Sequence, residues 1–161
     1  MSLYQFLASD MPLKDVRNPN IEIISLNEML GRNLDVPEIL LSSKNIDWDE
    51  KIALICESEE LLHEIEIRKD NPDGHAHPFT TKKYVSEITF RYTITRAEQL
   101  VHYIREHLRM SETLEIWSLW IDDIKEAIVE TKGQDDLSIE DIKKVLGEGY
   151  YDAPRCLKIE K

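Results

Sequence analysis

Apolar and polar positions alternate most clearly in the second half of the chain. Over residues 84–92, Ile88, Phe90 and Tyr92 fall on one face and Glu87, Thr89 and Arg91 on the other, which predicts a half-buried strand. Thr95-Arg96-Ala97-Glu98 then has capping-box spacing, with hydroxyl and carboxylate each satisfying a backbone N–H at a helix start. Ala97, Leu100, Val101, Ile104 and Leu108 follow at helical spacing on one stripe. Residues 114–121 are apolar on both faces except at Glu115 and Ser118, so they predict a central strand, with Trp117 and Trp120 on opposite sides of it.

Asp122-Asp123 predicts a turn, and residues 127–130 the returning strand of a hairpin. Ser138 begins a second amphipathic helix through Ile142, Val145 and Leu146, with Gly147 at its C-terminal cap. After Pro154, residues 156–159 make a short last strand. The order β-α-β-β-α-β over about 84–160 predicts an α+β fold with a ferredoxin-like core. Right-handed crossovers would place both helices on one face of a four-stranded antiparallel sheet.

The first half is less regular. Ser2 is positioned to cap a short helix through Leu3, Phe6 and Leu7. Residues 21–24 predict a strand, 26–30 a short helix ending near Gly31, 36–41 a further helical turn, and 52–56 a buried strand. Residues 63–68 alternate and are expected to pair with 52–56. Residues 71–81, opening with Asn71-Pro72-Asp73-Gly74, are the most loop-like stretch. No repeat or long linker interrupts the 161 residues, so one domain is expected, its N-terminal part (1–82) extending or covering the sheet of 83–161.

Composition narrows the function. The chain carries 20 Lys+Arg against 32 Asp+Glu, a net charge of −12. Residues 1–50, 51–82 and 83–161 sum to −5, −3 and −4, so on this division the negative charge is spread and no basic cluster offsets it. Nucleic-acid binding depends on Lys and Arg displacing counterions, so DNA, RNA and anionic membranes are not expected as ligands, whereas a basic protein is. A homo-oligomer is compatible with the composition. No run approaches the ~20 apolar residues of a membrane span, and the first residues lack the basic and apolar regions of a secretory signal, so a cytoplasmic setting is expected. Cys56 and Cys156, 100 positions apart with apolar neighbours, are expected to be inert core thiols.

The candidate chemistry is sparse. His75 and His77, two apart in an extended segment, can face one side; with His63 and Glu64 upstream, a nearby carboxylate completes a three-ligand site for zinc or a similar divalent metal, the histidines His63, His75 and His77 being its candidates. The competing reading is a polar loop with solvated histidines. His102 and His107 are accounted for by the edge and the negative end of the first C-terminal helix. Asp47, Asp49 and Glu50, together with Asp122 and Asp123, form acidic clusters that read either as solvated turns or as a docking surface for a basic partner. None fits a calcium loop, and neither phosphate-loop glycine motif occurs. No catalytic residue or cofactor-binding motif is assigned.

At residues 2–10 (Ser-Leu-Tyr-Gln-Phe-Leu-Ala-Ser-Asp), and again at Tyr92-Thr93 and Arg96-Ala97, the chain resembles a group of small bacterial hypothetical proteins. The resemblance implies a bacterial, cytoplasmic setting and carries over no activity or functional residue. The leading expectation is a non-enzymatic protein-interaction module of the immunity or inhibitor kind. A metal-binding protein or metal-dependent enzyme using His63, His75 and His77 is the second reading. A small-ligand regulatory domain, by analogy with ferredoxin-like sheets, is the third.

Overall fold

The computed structural model describes residues 3–69, 76, 78–121, 125–147 and 152–161. It is a mixed α+β structure with strands β1 (Leu3–Ser9), β2 (Glu22–Ser25), β3 (Lys51–Ile55), β4 (Glu66–Lys69), β5 (Tyr84–Thr89), β6 (Thr113–Trp120), β7 (Ile128–Gly133) and β8 (Arg155–Glu160). Its helices are α1 (Leu26–Gly31), α2 (Glu38–Leu41), α3 (Ile94–His107) and α4 (Ile139–Leu146). The chain divides into two compact units, residues 1–17 with 63–161, and residues 18–62.

The larger unit holds a six-stranded sheet in the order β4-β5-β1-β6-β8-β7, antiparallel throughout except for the parallel pair β7 and β8. From β5 onward the order along the chain is the expected β-α-β-β-α-β, but the strands are placed differently in space. No β6–β7 hairpin forms; β8 lies between them, and β7-α4-β8 is a parallel crossover of neighbouring strands. Between β5 and β6, where a ferredoxin-like order would put β7, lies β1, pairing Phe6 with Glu87 on one side and with Trp117 on the other.

β1 corrects the expected N-terminal helix. Its residues Tyr4, Phe6 and Ala8 face one side of the sheet and Leu7 the other, and all four are buried. A strand buried on both faces is apolar almost continuously, so helical spacing (Leu3, Phe6, Leu7) can be found in it as readily as alternation. The helix-side core joins Leu7, Ile88 and Ile116 to Leu100 and Ile104 of α3 and Ile142 of α4. On the opposite face Phe6 stacks on Trp117 with ring centroids 5.8 Å apart and an interplanar angle of 9°, and Phe79 leans on the same indole. Each such large side chain contributes roughly 1.5–3 kcal/mol by leaving water.

The helix ends follow local chemistry. The α4 capping box is the expected one, Ser138 with Asp141. Gly147 ends this helix in extended rather than left-handed backbone, and glycine is required because a Cβ there would collide with the Lys143 carbonyl. α3 starts two residues earlier than expected: Thr93, not Thr95, is the cap, its hydroxyl accepting from the Arg96 N–H. That shift points Arg96 back from the first turn, where its guanidinium donates to Glu64 (2.8 and 3.1 Å) and to the Arg91 carbonyl.

In the smaller unit β2 and β3 form an antiparallel pair with Ile23 opposite Leu54 and Ile24 opposite Ala53. Residues 63–68 therefore do not pair with β3 as expected; β4 pairs with β5. One face of the β2–β3 ribbon closes a small core of Ile24, Leu26 and Met29, with Leu40, Trp48 and Ile55 packed against it. The Ser25–Glu28 capping box fixes the start of α1 directly after β2. β3 is not the buried strand expected, since Ile52 and Leu54 lie on the exposed face.

Candidate functional site

The smaller unit concentrates the charge. Residues 18–62 hold ten acidic side chains against three basic ones, a net −7 of the chain's −12, although they make up well under a third of its length. This corrects the even spread inferred from sequence blocks, because the structural boundary gathers residues that those blocks divided. One of the three cations, Arg32, is already matched by a two-pronged pair with Glu22 at 2.7 and 2.8 Å, and this pairing holds the Glu22 carboxyl below its usual range.

Asp47, Asp49 and Glu50 are exposed and held in a defined turn. Asp47 Oδ1 accepts from the Asp49 N–H at 2.9 Å, Asp49 Oδ1 accepts from Asn27 Nδ2 at 2.8 Å, and the Glu50 N–H reaches the Asp47 carbonyl. Trp48 between them turns inward onto the small core. Rigid presentation matters because an ordered acidic turn loses less side-chain entropy on meeting a partner than a mobile one. The ribbon adds apolar surface: Ile23 and Leu54, directly opposite each other across β2 and β3, are 52% and 53% exposed. This acidic turn and this apolar pair belong to the same unit.

The other acidic pair, Asp122 and Asp123, lies outside the described residues, as do His75 and His77. His63 sits in a short 3-10 turn, Glu60–His63, half-buried, with its carbonyl taken by the Arg91 N–H. Among the described residues no three His, Cys, Asp or Glu side chains converge to hold a metal. Cys156 is buried, and desolvation with the Glu115 charge nearby pushes its thiol up to about 12, so it stays protonated and inert. Cys56 departs from the expected core thiol, being half-exposed with its Sγ toward the Ser58 carbonyl.

One pairing was invisible in the sequence. Ser9 Oγ lies 2.7 Å from His107 Nε2 and 3.1 Å from Ser111 Oγ, joining β1 to the end of α3 across 98 residues. It has the outline of a nucleophile and its base. Ser9 is completely buried, however, and His107 and Ser111 nearly so, leaving a substrate no approach. The cluster ties strand to helix. His107 lies in the last turn of α3 as expected, but it is buried there, and burial lowers its pKa. A groove of ≈ 240 Å³ between α4 and the β7–β8 pair is lined by Glu130 and Asp141 but also by Lys144 and Arg155, a balanced set that favours neither sign of ligand.

No family model, curated protein or solved structure matches the chain. Among the described residues, no helix is long and apolar enough to cross a membrane.

Proposed function

We propose that this protein is a non-enzymatic interaction module, of the immunity or inhibitor kind, whose 18–62 unit binds a basic protein. The observation that carries the reading is the net −7 gathered on that unit, which also exposes an apolar pair, Ile23 and Leu54. Carboxylates concentrated on one unit accelerate encounter with a cationic surface and reject acidic ones, while desolvated apolar contacts slow dissociation. Asp47, Asp49 and Glu50 supply the ordered part of the acidic surface.

The test is in-cell cross-linking followed by identification of the attached protein. The expected partner is basic and leaves the complex as salt is raised. Asp47→Asn, Asp49→Asn and Glu50→Gln together weaken the complex at least tenfold, whereas Glu98→Gln, Glu126→Gln and Asp135→Asn, an equal charge change on the larger unit, leave it within about twofold. An acidic or salt-indifferent partner, or equal losses in both triple variants, overturns the reading.

A further inference from the structure

β7 ends the sheet, and among the described residues nothing pairs with its outer side. The opposite edge differs: β4 is closed there by Val16, which exchanges two main-chain hydrogen bonds with Ile67 at 2.8 and 2.9 Å. Six residues long, with Ile128 and Val129 more than half exposed, β7 lacks the proline or bulge that commonly blunts an edge.

The hydrogen bonds to β8 fix which β7 groups are free. The Ile128 and Gln134 N–H groups donate inward, to the carbonyls of Pro154 and Glu160. Alternation along the strand therefore turns the backbone of Val129, Thr131 and Gly133 outward. A second antiparallel strand must pair outward residues with outward residues, so a two-fold axis can only pass through a residue facing its own copy. Centring on Glu130 or on Lys132 sets like charges directly opposite. Centring on Thr131 places Glu130 across from Lys132 twice, Thr131 on Thr131, and Val129 over the side-chain-free Gly133. Among the described residues Glu130 has no ion-pair partner in its own chain; Lys132 reaches Asp141 at 3.3 Å. The Gly133 carbonyl is used by the Asp136 N–H in the turn that follows, which leaves four main-chain hydrogen bonds for the symmetric pair.

We infer that β7 pairs antiparallel with β7 of a second copy of this chain, centred on Thr131, to give a continuous twelve-stranded sheet across a two-fold dimer. The self-complementary charge register selects a second copy over a foreign strand as the occupant.

Sedimentation of the full chain over a concentration series tests this. The wild type is expected to dimerise, and Thr131→Pro, which removes an outward N–H from an edge position where proline is tolerated, to be monomeric. Glu130→Lys alone and Lys132→Glu alone each weaken the dimer roughly tenfold or more, since both facing pairs become like-charged. Mixing these two variants restores dimerisation as a heterodimer, because every facing pair is again of opposite charge. Lys132→Glu also loses its contact with Asp141, so its thermal melt is read alongside, and recovery in the mixture shows that the variant is folded. A wild type that stays monomeric, a dimer indifferent to Thr131→Pro, or no recovery in the mixture overturns the inference.

Discussion

Ser9, His107 and Ser111 show how a long-range polar contact escapes a sequence reading. His107 lies in the last turn of α3, where helix-end electrostatics suffice to explain it, and nothing near it in sequence signals that β1 will cover it. Its burial has a pH consequence. In the unfolded chain the imidazole takes up a proton as pH falls through about 6.5. The folded protein does so only at lower pH, because burial disfavours the charged ring. The contribution is therefore fully present above about 6.5 and is lost as pH falls from there through the lowered folded value. Urea unfolding should show wild-type stability falling between about pH 7 and about pH 5 more steeply than that of His107→Gln; parallel slopes would count against a buried, neutral His107.

At the scale of elements, the α3 boundary gives a direct discrimination. Thr93→Ala should lower stability by about 1 kcal/mol by removing the cap, and Thr95→Ala, an exposed position, should change it by less than about 0.5 kcal/mol. Chemical denaturation of the two variants checks this, and the reverse ranking would restore the Thr95 cap. Local signals were strong where cap, apolar stripe and end lie within one short stretch, as at Ser138, Ile142 and Gly147. They failed where a partner decides the outcome. Residues 127–130 are legible as a strand, yet nothing in them says that β8 rather than β6 lies alongside. The β1 residues fit both readings, Leu3, Phe6 and Leu7 a helix and Tyr4, Phe6 and Ala8 a strand, and only burial on both faces separates the two. The acidic turn at 47–50 is visible as composition, but the exposed Ile23–Leu54 pair of the same unit follows only from the β2–β3 register.

For the molecule as a whole, β1 is the strand on which the large sheet depends. Removing residues 1–9 would leave β5 and β6 without their shared neighbour and expose the face of Trp117 that Phe6 covers. Such a truncation should lose the near-ultraviolet circular dichroism of its packed tryptophans while keeping helical far-ultraviolet signal, a loosely packed state. Retention of the full near-ultraviolet spectrum would show that β1 is dispensable.

The same placement bears on how the chain is made. Of the eight strands described, β1 leaves the ribosome before the others, and its two partners follow only with Tyr84 and Thr113. Throughout that interval the nascent protein carries Leu-Tyr-Gln-Phe-Leu-Ala-Ser, a seven-residue segment without charge or proline, unpaired and in water. Segments of this kind stack readily with copies of themselves. Translation speed between the first and the sixth strand, and chaperone cover during it, therefore set how much of the newly made protein folds and how much aggregates.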